Sequence, residues 1–195
     1  MSNQFKQLFN DHFYQPTFTR WRVEKEKAGK DIVGDQYEKM RKEYYKSFGL
    51  TPLKKRGVFG NMNPDLIVYR DGEILIVEED KGHYVDKCFL ERSIGDAVKI
   101  FKWCLDNNKP IPFYILSCPT NLNGFDRIFE ELSSLYRSDL QVILQQKFKY
   151  CPLSLQNRLS KRTYFTSPVN NFNLDDTLLE RQESIILECL NFNND

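Results

Sequence analysis

Pro64-Asp65-Leu66-Ile67-Val68-Tyr69, then Arg70-Asp71-Gly72, then Glu73-Ile74-Leu75-Ile76-Val77-Glu78-Glu79-Asp80-Lys81 is the stretch whose reading decides the fold. Two runs rich in β-branched and aromatic residues flank an Asp-Gly pair, the strongest short-range signal for a β-hairpin. Side chains alternate along a strand, so Val77, Glu79 and Lys81 share one face and Ile76, Glu78 and Asp80 the other. With the turn centred near Asp71, Asp65 falls opposite a position between Val77 and Glu79, within reach of Glu79 across the ladder. Glu78 is the rival to Glu79, because a β-bulge would exchange the two faces. On a regular strand Glu78 looks away from the site, and its neutralisation should be mild.

Working outward, Asp35 reads as an N-cap with Glu38 three residues on. Tyr37, Met40, Tyr44 and Phe48 then recur at helical spacing until Gly49. On the other side, Ile94, Ala97, Val98, Phe101, Cys104 and Leu105 form an apolar helical stripe from Ser93, ended by Asn107-Asn108 and Pro110. Phe113 to Ser117 reads as a buried strand, Phe125 to Leu135 as a helix and Gln141 to Phe148 as a strand. Residues 151–173 hold a basic stretch without firm periodicity. Asp175 then caps an amphipathic helix through Leu178, Leu179, Gln182, Ile185, Ile186 and Cys189, packed on the core or on a second subunit. The order β-β-α-β-α-β describes an α/β fold with a central mixed sheet, a hairpin plus crossover strands, flanked by helices. One domain spans 1–195, with its core at 35–150 and the basic segment and amphipathic helix at 151–195.

The 195 residues, 41% of them hydrophobic, suffice for one well-cored domain. Lys and Arg number 28 against 27 Asp and Glu, so nucleic-acid contact must come from local basic clusters. Five single cysteines, with no Cys-x-x-Cys pair and only His12 and His83 to join them, make a structural zinc site a poor reading. They suit a reducing, intracellular (cytoplasmic) compartment. The N-terminus carries no apolar signal core and the longest aliphatic run, Ile74 to Val77, is too short to span a bilayer, so no membrane is expected.

The chemistry lies at the hairpin end. Two carboxylates about 4–5 Å apart at a sheet rim repel unless a hard divalent cation neutralises them. Mg²⁺, or Mn²⁺ in its place, keeps several waters, acidifies one and grips a phosphate oxygen, while a nearby ammonium orients the attacking water. That combination is suited to hydrolysing a phosphodiester.

Pro64-Asp65, 13 intervening residues, then Glu79-Asp80-Lys81, on a hairpin between a helix and a helix-strand-helix run, resembles the PD-(D/E)XK nuclease superfamily, whose largest group is the type II restriction endonucleases. The resemblance covers roughly residues 35–150. It implies a restriction-endonuclease-like fold and a Mg²⁺-dependent endonuclease acting on DNA, with Asp65, Glu79 and Lys81 catalytic and Asp65, Glu79 and the Asp80 carbonyl as metal ligands. A further glutamate from the preceding helix belongs to some members; Glu38 has a competing capping role, which favours Glu43. The helix after the motif lacks the Gln-x-x-x-Tyr pattern of the recombination-exonuclease branch. An RNA endonuclease of viral cap-snatching type would use nearly the same chemistry, and a non-catalytic nucleic-acid-binding domain would keep the fold without turnover. Lys54, Lys55 and Arg56, before the first catalytic strand, and Arg158, Lys161 and Arg162, followed by Tyr164 and Phe165, are the candidate nucleic-acid contacts. A homodimer would let two sites cut two strands.

Overall fold

A computed structural model describes residues 6–8, 10, 32–80, 87–117, 161–166, 169–170, 173–174 and 176–192. The first helix, α1 (Ile32–Ser47), begins three residues before the expected cap, so Asp35 lies inside its first turn, where a carboxylate complements the helix dipole. Its end is a Schellman motif. Gly49 takes φ +75°, its N–H bonds the Lys46 carbonyl at 2.9 Å, and the Leu50 N–H bonds that of Tyr45 at 3.2 Å.

Strands β1 (Thr51–Leu53), β2 (Leu66–Arg70) and β3 (Glu73–Asp80) form an antiparallel meander. Asp71 and Gly72 both have positive φ, 52° and 86°, as the tight turn of a two-residue hairpin loop requires. Helix α2 (Lys87–Asp106) then crosses over to β4 (Phe113–Ser117), which runs parallel to β3. The helix starts six residues earlier than the stripe from Ser93 suggested, and Leu105, expected on the buried stripe, is 39% exposed. A fifth strand, β5 (Thr163–Thr166), lies parallel to β4, giving a five-stranded mixed open sheet in the order β1-β2-β3-β4-β5. β6 (Val169–Asn170) and β7 (Asn173–Leu174) make a small separate ladder, and α3 (Asp176–Asn191) follows. The helix at 125–135 and the strand at 141–148 expected from sequence lie outside the described residues.

Helices cover both faces of the sheet. On one, Ile67, Val77, Tyr114 and Leu116 pack on Ala97, Ile100, Phe101 and Cys104 of α2 and on Phe59. On the other, Leu66, Val68, Ile76, Phe113 and Ile115 pack on Tyr37, Met40, Tyr44 and Tyr45 of α1 and on Leu179, Ile185, Ile186 and Cys189 of α3. The apolar face of the C-terminal helix therefore covers this chain's own core. Among the described residues no helix is long and apolar enough to cross a membrane.

A buried ion pair ties the second layer together. Arg41 of α1, 1% exposed, reaches Glu78 of β3 with Nε and Nη2, both at 2.6 Å. Its Nη1 bonds Gln182 Oε1 on α3 at 2.8 Å, and the Tyr45 hydroxyl donates to Glu78 Oε2. Burial alone would lower the Arg41 pKa, but the Glu78 carboxylate together with Tyr45 and Tyr37 outweighs it and holds the guanidinium well above its ordinary value. Neutralising Glu78 is therefore not mild for the fold. Glu78→Gln or Arg41→Met, each leaving an uncompensated partner in the core, should cost about 3–5 kcal/mol, or roughly 10 °C of melting temperature for a chain of this size. Arg41→Met combined with Glu78→Leu should recover most of that loss. Thermal melts of the three variants check this; single variants within 1 °C of the parent would show that the pair holds nothing together.

Candidate functional site

The position of Asp65 follows from an irregularity in the hairpin. Counted evenly back from the turn, where Arg70 pairs with Glu73 and Tyr69 with Ile74, Asp65 would face Glu78. Instead Val68 pairs with Ile76, so Leu75 is an extra, unpaired residue, and the register moves by one to Ile67 with Val77 and Leu66 with Glu78. One step further brings Asp65 opposite Glu79. Because the bulge lies on the turn side of Ile76, alternation from Ile76 onward is regular. Ile76 and Glu78 face α1 and α3, while Val77 faces α2 and Glu79 takes the same side.

Asp65 and Glu79 thus stand at the rim where β3, β4 and β5 reach their carboxyl ends, the usual place for a site in an open α/β sheet. The backbone N–H of Asp80 donates to Asp65 Oδ2 at 2.9 Å, which fixes the carboxylate at the strand end. Burial raises the Asp65 pKa; the Asp80 N–H and Lys54 pull it down, and the charges of Glu38 and Glu78 push it up again. The Asp80 side chain is more extreme. Both of its oxygens are buried, and burial, then the charge of the neighbouring Glu78, holds its pKa well above the carboxylate range.

Glu38, not Glu43, is the helix glutamate that reaches the rim. Five residues separate them on α1, about 140° of rotation, and the apolar stripe turns Glu43 outward, where it pairs with Lys46 at 2.6 Å. Glu38 is almost buried and accepts from Lys42 at 2.6 Å and from Lys54 at 2.8 Å. Burial pushes its pKa up, but these two ammonium groups outweigh burial and leave it lowered. The capping role that counted against Glu38 does not exist, because the helix begins upstream of Asp35.

The basic loop divides. Lys54 turns to Glu38, and that hydrogen bond, together with the charge of Asp65, raises its pKa. Lys55 and Arg56 instead line a pocket on the α2 side of the sheet, toward the hairpin turn. Arg162, expected to contact nucleic acid, is engaged within the fold: its Nη1 bonds the Ile111 carbonyl at 2.7 Å, and its guanidinium lies 5.0 Å from the Phe113 ring centroid and 4.5 Å from that of Phe192. Tyr164 belongs to β5 and bonds Glu188 at 3.1 Å. Lys161 is exposed. Lys81, His12, His83 and Arg158 lie outside the described residues.

Among the described residues, no group of three or more His, Cys, Asp or Glu side chains is arranged to hold a metal ion. The donors at the rim still suit Mg²⁺, which is commonly held by one or two carboxylates with waters completing the octahedron. The Asp65 carboxylate, fixed at the strand end opposite Glu79, is where such an ion would bind. Comparison with protein-family models, with curated proteins and with solved structures gives no match.

Burial raises the Asp65 pKa on folding, so its contribution to stability is complete below its unfolded pKa, about 3.9, and is lost as pH rises through the higher folded value. Asp65→Asn keeps an oxygen to accept the Asp80 N–H but carries no charge. Its melting temperature should exceed that of the parent at pH 7, and the two should converge as pH approaches 4. Melting curves across that range test the burial argument; a gap that is constant or widens on acidification would refute it.

Proposed function

We propose that the protein is a divalent-metal-dependent endonuclease of the PD-(D/E)XK type, hydrolysing phosphodiester bonds in nucleic acid, with DNA as the first substrate class. The observation that supports it most is the bulge at Leu75, which brings Asp65 opposite Glu79 at the carboxyl rim of a mixed sheet. Around this pair lie Glu38, whose carboxylate is kept ionised, and Lys54, whose ammonium is held beside Glu38 and Asp65.

Asp65 and Glu79 are the residues that would hold Mg²⁺, with the Asp80 carbonyl beside them. When bound, the ion supplies Lewis-acid charge and a water acidic enough to act as nucleophile near neutral pH. The protein's own groups do the remaining work. Asp65 is oriented by the Asp80 N–H, so its carboxylate is held in a fixed position. Lys54 places a positive charge at which a phosphate oxygen can rest, and Lys81, one position past β3 in sequence, is the group proposed to orient the attacking water.

A non-catalytic nucleic-acid-binding domain is the second reading, favoured by one feature: Lys54 already supplies a positive charge to Glu38 and Asp65, as a lysine replacing a metal would. Incubation with plasmid DNA and with structured RNA, each with Mg²⁺, Mn²⁺, Ca²⁺ or EDTA, separates the readings and the substrate class. Cleavage should need Mg²⁺ or Mn²⁺, with Ca²⁺ supporting binding but little turnover because its looser geometry positions water poorly. In single-turnover assays Asp65→Asn, Glu79→Gln and Lys81→Ala should each lose on the order of a hundredfold or more, and Glu38→Gln a smaller factor, whereas Glu43→Gln should match the parent. Cleavage undiminished in EDTA or in all of the first three variants would sink the nuclease reading, and metal-independent binding without cleavage would establish the second.

A further inference from the structure

The pocket that takes in Lys55 and Arg56 lies outside the rim. It has a volume of about 490 Å³, within the range of small-molecule sites, and is bounded by the loop after β1, the turn end of the β2–β3 hairpin and the C-terminal end of α2. Tyr69, on its wall, is four residues from Asp65 along the strand, so the pocket begins roughly 13 Å from the rim. Two independent observations define what would fit.

The first is charge. Lys55, Arg56 and Lys109 converge on the pocket, all exposed, and none has a carboxylate partner among the described residues. Their neighbours are satisfied: Lys54 bonds Glu38, Lys99 bonds Asp96 at 2.8 Å, and Lys102 bonds Asp106 at 2.6 Å. Three such cations meet at one cavity, and Glu73 is the one carboxylate in its lining. The second is the aromatic wall. Trp103 is half-buried and fixed edge-to-face against the buried Phe59, with centroids 5.4 Å apart and planes at 85°, and Tyr69, also half-buried, lines the same pocket. Rigid aromatic surface beside clustered Lys and Arg is the arrangement that stacks a base and grips its phosphate.

We propose that this pocket seats one unpaired nucleotide, its base against Trp103 and Tyr69 and its phosphate among Lys55, Arg56 and Lys109. Glu73 at the rim of the pocket accepts a hydrogen bond from an exocyclic amine or a ribose hydroxyl. A base within a duplex presents only its edges and cannot stack here, so the pocket takes a single strand, a splayed-out base or a free nucleotide. The assignment does not need the phosphodiesterase chemistry, because it stands on the pocket alone.

Trp103 reports on its own occupancy. The chain has two tryptophans, and Trp21→Phe leaves Trp103 as the single indole. In that background, with Asp65→Asn and EDTA to prevent any cleavage, fluorescence is titrated with dAMP, AMP, a single-stranded DNA 12-mer, a single-stranded RNA 12-mer, a DNA duplex, inorganic phosphate and an acidic peptide. Saturable quenching by the nucleotides and single strands is expected, at least tenfold weaker for duplex, phosphate and peptide. The mononucleotide and oligomer arms show whether the source is a free nucleotide or a strand. Lys55→Ala, Arg56→Ala and Lys109→Ala alter exposed side chains, so they should keep the melting temperature while weakening binding at least fivefold each. Tyr69→Leu should weaken it with phosphate affinity unchanged. No quenching by any nucleotide, equal binding of phosphate alone, preference for the peptide, or affinities unmoved by the three cation variants would each overturn the assignment. Set beside the parent protein's cleavage assay with Mg²⁺, cleavage with no nucleotide bound in this titration would overturn the pocket and keep the nuclease, and nucleotide binding here with no cleavage by the parent would do the reverse.

Discussion

A buried guanidinium clasping a buried carboxylate is the constraint on which the rest of this molecule depends. Arg41 and Glu78 are both shielded from water, and the desolvation of each is tolerable only because the other is there in bidentate geometry, with Tyr45 and Gln182 bonding what remains. The pair joins three elements distant in sequence, α1, β3 and α3. It also settles the orientation of β3, because turning the strand over would send Glu78 toward the apolar Phe101 side and leave Arg41 charged and alone. Once Glu78 is committed to the α1 face, Glu79 is committed to the other side, and the two adjacent glutamates have different fates.

The hairpin, its turn, the crossover helix and the buried strand at 113–117 were legible in the sequence because each carries a local signal: Asp71-Gly72 for positive φ, Asn107-Asn108 and Pro110 for a helix end, an unbroken apolar run for a strand buried on both faces. The register was not legible to the residue. An even count from the turn places Asp65 against Glu78, and nothing in Ile74-Leu75-Ile76-Val77, four apolar residues of similar size, announces which one bulges. The cause is tertiary: both Leu75 and Ile76 lie toward the α1 side, and the bulge lets Ile76, then Glu78, reach α1 together.

Arg41 was invisible for a related reason. An arginine on an amphipathic helix normally reads as solvated surface, and only Glu78, 37 residues away, and Gln182, 141 away, make its burial sensible. The same blindness favoured Glu43 over Glu38, since a helix start placed too late turned a buried rim carboxylate into a cap. The strand at Thr163–Thr166 had a signal, two threonines flanking two aromatics, but the preceding Lys161-Arg162 drew that segment toward a binding role. Its backbone is instead the outer parallel strand, and Arg162 is held against Phe113 and Phe192.

A net charge of +1 conceals an unequal distribution. The rim gathers Glu38, Asp65, Glu79 and Asp80, with Lys54 close to the first two, and burial raises the pKa of Asp65 and Asp80. The pocket near the hairpin turn gathers Lys55, Arg56 and Lys109 with Glu73 alone against them. Adjacent residues of one loop serve the two ends because β1 finishes there: alternation sends Lys54 to the α1 face beside Glu38 and Lys55 to the α2 face. On the proposed reading, the anionic end would take the divalent ion and the cationic, aromatic end the phosphate and base of a nucleotide. The same strand alternation that separates Glu78 from Glu79 divides the basic loop between them.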